Sequence, residues 1–169
     1  TVGALDLLPA HTTAALKEIF PEADVFGTNL PGTLQFEVAS MIGQHRGFRV
    51  VPDVKGLHAD LFFASEYFEH IEAPVEHLRE VLDEAHPQVL VIANAFGARA
   101  TGHFNHYRHE GGSIMNKQIG RVFNRTLRQA GYRSVKTKFW NNRPAVWRRT
   151  EDGYDTTRAI RADPRFSKL

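Results

Sequence analysis

Hydrophobic and polar positions along this chain follow two rhythms that take turns: short apolar runs of strand length, and longer stretches with apolar residues at helical spacing. Residues 2–8 form an apolar run closed by Pro9, which predicts a first strand. Residues 11–20 carry helical spacing through Ala14, Leu16 and Ile19, and Pro21 stops that helix. A β-like pattern returns at 24–30, with Asn29 just before Pro31-Gly32. Residues 33–45 are again helical through Leu34, Val38, Met41 and Ile42, and Gly47 stands where a C-cap belongs. Short strands are predicted at 48–51, ending at Pro52-Asp53, and at 60–64.

The second half continues in the same way. Residues 74–85 place Val75, Leu78, Val81 and Leu82 on one stripe, with Pro74 at the first helical position. Residues 89–95 are continuously apolar, as in a central parallel strand buried on both faces. A polar, His- and Gly-rich loop is read over 96–112. Ser113 then caps a long helix with the stripe Ile119, Val122, Phe123, Leu127 and Ala130, closed by Gly131. Two last strands, 134–140 and 145–149, are joined by Asn141-Asn142-Arg143-Pro144 as a hairpin-like turn. The alternation predicts an α/β fold, a doubly wound and mostly parallel seven-stranded sheet with helices on both faces and a C-terminal antiparallel hairpin. One domain over 1–150 and a polar tail over 151–169 complete the expected organisation.

Composition narrows the function classes. A chain of 169 residues suits one domain with a single substantial core. No apolar run approaches the roughly 20 residues of a membrane-spanning helix, and no stretch resembles a signal peptide. The absence of Cys excludes thiol catalysis, disulfides and thiolate metal sites, and fits a cytoplasmic protein without a membrane partner. Because the chain opens with Thr directly on a strand-like run, a natural N-terminal segment is expected upstream. The net charge of +2 conceals a division: residues 1–86 hold 5 Lys+Arg against 14 Asp+Glu, and residues 87–169 hold 16 against 5. Such polarity suggests nucleic acid as a partner of the basic half; the alternative is that the halves neutralise each other within one fold.

The densest chemistry lies in LFFASEYFEHIEAPVEHLREVL, residues 61–82. A strand here delivers Glu66, Glu69, His70 and Glu72 at its C-terminal end and turns into a helix, which is where open α/β sheets place ligands. Glu66, Glu69 and His70 are the catalytic candidates, since a carboxylate or imidazole at that point can take a proton from a nucleophile or orient it. Glu72 suits a position near a helix N-terminus. Asn94, with Phe96, His103 and Tyr107 beyond it, is a candidate lining for an acceptor pocket. Lys117, Arg121, Arg125 and Arg128 recur along the helix face opposite the apolar stripe. Arg133, Lys136, Lys138, Arg143, Arg148 and Arg149 follow, with Trp140 and Trp147 among them. Cations with aromatics suit a single nucleic-acid strand, with Arg121, Arg125 and Arg128 as substrate contacts. The bland alternative is a solvated helix face with the Trp residues in the core.

Residues 2–150 resemble the class I S-adenosylmethionine-dependent methyltransferases. ALDLLPAHTTAALKEIFPEADVFGTNLP is similar to that family's first βαβ unit, EYFEHIEAPVEHLREVL to the segment after its fourth strand, and LRQAGYRSV to the helix, Gly turn and sixth strand. The resemblance implies a Rossmann-like methyltransferase fold, S-adenosylmethionine as cofactor, and methyl transfer to a nucleic acid or a small molecule. It matches Asp6 to the acid that orients the cofactor turn, Asn29 to the ribose-binding acid, and Asp53 to the acid near the adenine edge. Ser65 and Glu66 fall at the fourth-strand terminus beside the methyl-transfer site. The family's three turn glycines fall at Leu8, Ala10 and Thr12, and all are replaced. Side chains there obstruct the close backbone approach that glycine allows. The second reading is therefore a methyltransferase-like domain that has lost its cofactor and serves as a binding or scaffold module. The spacing Glu66-x-x-Glu69-His70 with a later histidine (His103, His106 or His109) also resembles the metal site of small-RNA 3′-terminal 2′-O-methyltransferases. That site would suit Mn²⁺ or Mg²⁺. Small-molecule methyltransferases carry the same spacing without an ion, so no metal is assigned.

Overall fold

The computed structural model describes residues 1–5, 10–138 and 144–150. Five strands run parallel: β1 (Val2–Leu5), β2 (Val25–Thr28), β3 (Arg49–Val51), β4 (Leu61–Ser65) and β5 (Val89–Ala93). A separate two-stranded hairpin is made by β6 (His106–His109) and β7 (Gly112–Met115). Returning to the main sheet, β8 (Tyr132–Val135) and β9 (Ala145–Arg149) form its antiparallel close. The seven-stranded order is β3-β2-β1-β4-β5-β9-β8. The doubly wound sheet with a terminal antiparallel pair is thus present as the sequence predicts.

Helices cover both faces, which explains why the strands read as apolar runs and not as strict alternation. On one face α1 (His11–Ile19) and α2 (Leu34–Arg46) bury Leu16 and Ala39 against Val2, Ala4 and Val25. On the other, α3 (Pro74–Ala85) and α4 (Asn116–Gln129) bury Val75, Leu78, Ile119 and Phe123 against Leu5, Phe26, Phe62 and Ala64. Gly3 lies beneath the edge-to-face pair of Phe26 and Phe62. A Cβ there would come within 2.6 Å of Phe26 Cζ, so only glycine admits both rings.

Helix limits follow local chemistry. Thr33 caps α2 by accepting a hydrogen bond from the Phe36 N–H at 3.2 Å, and Gly47 closes it at φ 76°. The helix over 74–85 coincides with its prediction, Pro74 included. Two expectations need correction. The polar loop read over 96–112 contains β6 and the start of β7, and Ser113 lies inside β7; the residue that precedes the long helix is Met115. The cause is the turn Glu110-Gly111, where both residues adopt positive φ (49° and 75°), the two-residue geometry that matches strand twist. Similarly, the run over 89–95 stops as a strand at Ala93, because the Ala95 N–H leaves the sheet to donate to Glu69.

The first cofactor turn (Asp6 and Leu8 among residues 6–9), residues 139–143 and the tail 151–169 lie outside the described residues. Among the described residues, no helix is long and apolar enough to cross a membrane.

Candidate active site at the C-terminal edge of the sheet

The C-terminal ends of β1 and β2 border a shallow, open cleft lined by Ala10, Thr13, Gly27, Thr28, Asn29, Ala39 and Val50. Ala10, the residue before α1, is buried and left-handed at φ 61°. The backbone keeps a turn conformation that favours glycine while bearing a side chain, a strain that persists only because the surrounding fold holds it. Thr13 packs so closely on β2 that a Cβ at Gly27 would meet its Oγ1 at 2.5 Å. Thr13, Gly27 and Thr28 carry no motif that marks them in sequence; the one signal is a glycine inside an apolar strand, a sign of close backbone approach.

Asn29 follows β2 and is half-buried, and its Oδ1 accepts the Leu30 N–H at 2.9 Å. Among the described residues the amide group has no acceptor and one oxygen lone pair remains. Asp53 is exposed beyond β3, with Oδ1 accepting the Lys55 N–H at 3.0 Å. Ser65 ends β4, half-buried. Of the cofactor candidates, Ala10 and Asn29 therefore share the cleft, Asp53 and Ser65 flank it on neighbouring strand ends, and Asp6 and Leu8 are outside the described residues.

The ends of β4 and β5 are chemically denser. Glu66 follows β4 at φ 51°, and its N–H donates to the Ala93 carbonyl at 2.8 Å. A glutamate held left-handed at a strand end is uncommon and marks a place to look for function. A 3-10 turn at Phe68–His70 then brings Glu69 inward and His70 toward the loop after β5. Glu69 is fully buried: Oε1 accepts the Ala95 N–H at 2.7 Å, and Oε2 is unpartnered among the described residues. Partial burial of the Glu66 carboxyl, then the negative charge of Glu69 beside it, hold Glu66 above the usual carboxylate range.

His70 Nδ1 lies 3.1 Å from the Gly102 carbonyl oxygen. A carbonyl only accepts, so Nδ1 carries a proton and points it at Gly102, leaving Nε2 turned away from that bond. The His103 ring stands at 85° to that of His70, with centroids 4.7 Å apart. Glu66, His70 and His103 each offer a ligand atom within 4.8 Å of the others. Asn94 follows β5, and its Oδ1 and His103 Nδ1 are buried without a hydrogen-bond partner among the described residues.

The fold thus gathers Glu66, Glu69, His70, Asn94 and His103 from two strand ends and one loop. Tyr107 is buried in the core instead of lining an open pocket, and its hydroxyl donates to the Glu69 main-chain carbonyl at 2.9 Å. It stacks edge-on with Phe96 and Phe104 and anchors the loop that carries His103. Tyr67, pushed up to about 12 by burial, hydrogen-bonds His77, whose Nδ1–H donates to Glu80 at 3.1 Å. This chain braces the turn between Glu66 and Glu69. His109 pairs with Glu76 at 3.0 Å and His106 is exposed, so neither joins the cluster.

On α4, Lys117, Arg121, Arg125 and Arg128 are all exposed. Among the described residues, none of the four pairs with a carboxylate, and Arg128 lies over the Trp147 ring at 5.6 Å. Trp147 is core, paired through β9 with β5, and Trp140 lies outside the described residues. The N-terminal end of α4 adjoins the loop after β5, with Gly97 against Lys117 and Phe96 against Gly120.

No family model and no curated protein sequence matches the chain. Solved structures do. Mitomycin 7-O-methyltransferase MmcR superposes with a TM-score of 0.57 at 16% identity, over 88% of this chain and 48% of that one. The S-adenosylmethionine-dependent methyltransferase SibL, in its apo form, superposes with a TM-score of 0.53 at 17% identity, over 89% and 50%. The chain spans about half the length of each. Its strand order and these likenesses give it the fold of S-adenosylmethionine-dependent methyltransferases.

Proposed function

We propose that this domain transfers a methyl group from S-adenosylmethionine to an acceptor bound over the ends of β4 and β5. The observation that carries the reading is the convergence of Glu66, Glu69, His70 and His103 one strand away from the β1–β2 cleft. The cofactor supplies an electrophilic methyl on a sulfonium, which demands in-line placement of the nucleophile more than elaborate acid–base machinery. Ala10 keeps the turn conformation in which a backbone can approach such a ligand, and Asn29 offers amide donors to hydroxyl oxygens. Asp53 offers an exposed carboxylate at the next strand end. On the acceptor side, the raised Glu66 carboxyl suits a group that removes a proton from a hydroxyl. His70, with Nδ1–H committed to Gly102, has Nε2 left to meet a bound acceptor.

The acceptor class we favour is a nucleic-acid strand. The exposed cations Lys117, Arg121, Arg125 and Arg128 lead away from the site along α4 with no carboxylate partner among the described residues, as phosphate contacts would. A second reading, a binding module without methyl transfer, is favoured by the Ala10 side chain in the turn and the small volume of the cleft.

Labelled methyl transfer from S-adenosylmethionine to RNA, single-stranded DNA and small hydroxyl acceptors tests these readings together. Transfer to nucleic acid that is suppressed by Glu66→Gln, and by Ala at Arg121, Arg125 and Arg128, supports the proposal. Transfer to small acceptors alone rejects the nucleic-acid branch. Salt-dependent RNA binding without transfer to any acceptor leaves the binding module.

A further inference from the structure

A two-stranded hairpin is marginal by itself, so β6–β7 has to lean on the domain through one face. Side chains alternate between faces along a strand. Tyr107 and Ile114, opposite each other in the register, form the inner face: the buried Tyr107 hydroxyl donates to the Glu69 carbonyl, and Ile114 packs on the core. A second tie joins the Arg108 N–H to the Glu72 carbonyl at 2.8 Å. The outer face holds the cross-strand pairs His106–Met115 and Arg108–Ser113, and all four side chains are exposed. Phe104, two residues before β6, is exposed as well, with its ring held edge-on against Tyr107 at 5.7 Å.

None of these outward residues is acidic. The carboxylates at the turn end of the hairpin are engaged elsewhere, Glu76 by His109 and the Glu110 N–H, and Glu110 by Arg79. Arg108 forms no ion pair among the described residues. At one end the surface adjoins the gathered side chains, because Phe104 follows His103 directly. At the other, β7 passes without a break into α4, so that Met115 is followed by the exposed Lys117 and, one turn on, Arg121. Trp147, which the sequence offered for stacking, is in the core. Phe104, His106 and the Arg108 guanidinium are the planar groups that stand outside in its place. Unpaired bases stack on such planes, and a thioether like that of Met115 adapts to an aromatic face.

We propose that the outer face of the β6–β7 hairpin, with Phe104 at its foot, is a stacking platform for unpaired bases of a single-stranded nucleic acid whose phosphates run along the cations of α4. The platform rests on the nucleic-acid reading of the acceptor but not on methyl transfer. It divides the labour within one surface: α4 holds any phosphate backbone, and the hairpin selects single strands, because paired bases have no free face to offer.

The test uses the whole chain without a methyl donor. Oligouridylate and oligodeoxythymidylate of about 12 nucleotides, within the span of one such surface, and an RNA duplex of equal length are titrated by fluorescence anisotropy over a salt series. The single strands should bind about tenfold or more tighter than the duplex. Phe104→Ala and His106→Ala should each weaken single-strand binding by about fivefold or more while leaving the slope of log affinity against log salt unchanged. Arg121→Ala should flatten that slope by about 0.7. Irradiated RNA carrying 5-iodouridine should cross-link within residues 104–115. His106→Ala and Met115→Ala, at exposed positions, should keep the unmodified melting temperature, and they decide the matter if Phe104→Ala loosens the loop through its contact with Tyr107. Equal affinity for single strand and duplex, or unweakened binding by both His106→Ala and Met115→Ala, overturns the platform and leaves the nucleic-acid reading standing. Absence of binding to every strand overturns both.

Discussion

The two ends of the sheet's C-terminal edge have met the same structural problem in opposite ways. At the ends of β1 and β2, where the turn lacks its glycines, polar groups are settled locally: Asn29 Oδ1 bonds the adjacent Leu30 N–H, and the cleft is small and lined mostly by Ala, Thr, Gly and Val. At the ends of β4 and β5, Glu69, Asn94 and His103 keep buried polar atoms without partners among the described residues, and Glu66 sits in a strained conformation between them. Such groups are uncommon in a folded interior, and their grouping at one end makes that end the place to look for function. The comparison teaches that the replaced glycines at one strand end do not by themselves report on the other.

The largest expected effect contrasts the two supports. Phe68 sits under the ends of β4 and β5 against Phe123 at 4.8 Å and Tyr67 at 5.3 Å. Phe68→Ala should lower unfolding stability by about 3–5 kcal/mol in denaturant titrations. Leu16→Ala, in the smaller Ala-lined core beneath the β1–β2 cleft, should fall at the low end of about 2–5 kcal/mol. Equal losses would mean that the β4–β5 end is not the more firmly braced of the two.

Next in size is the tie between the hairpin and α3. Glu76 accepts from the Glu110 N–H and from His109, both at 3.0 Å. Burial alone would raise its carboxyl, but these bonds and the one from its own backbone N–H together hold it below the usual range. A depressed folded value gives stability that is present above the ordinary value of 4.5 and lost as pH falls through the folded one. Glu76→Ala should therefore cost about 1–2 kcal/mol at neutral pH. That cost should shrink on acidification, as read by melting curves across pH. A pH-independent cost would show that the loss is packing alone.

Ala10→Gly sharpens the contrast from the other side. Relief of the left-handed alanine outweighs the added freedom of the unfolded chain, for a net gain of about 0.5–1 kcal/mol. The same change clears the cleft, so S-adenosylmethionine should bind more tightly than to the unmodified protein. A destabilised variant with unchanged affinity would remove Ala10 from the cofactor turn.

The smallest effect on stability is expected on α4. Ala at Arg121 and Arg125 should shift stability by no more than about 0.5 kcal/mol, because both are exposed and unpaired among the described residues. RNA affinity should fall and its salt dependence flatten. Unchanged, salt-insensitive binding would show that the basic half serves the fold and not a partner.

How much of this was legible in sequence follows from what each signal measures. Periodicity reports burial, so the doubly covered sheet, the limits of α3 and the stripe of α4 could be read from it. The β6–β7 hairpin could not, because only Tyr107 of β6 is buried and the turn depends on a glutamate at positive φ. Glu66, Glu69 and His70 were visible as neighbours leaving one strand. That His103 joins them, and not His106 or His109, depends on the path of a loop anchored by Tyr107 and the Gly102 carbonyl, which no local pattern encodes.

The measurement that bears most directly on methyl transfer at this edge is a calorimetric titration with S-adenosylmethionine and S-adenosylhomocysteine. The account predicts saturable binding of one molecule per chain, weakened by Asn29→Ala and Asp53→Ala and strengthened by Ala10→Gly. No heat with either compound at millimolar concentration, in the unmodified protein and in Ala10→Gly alike, would contradict it.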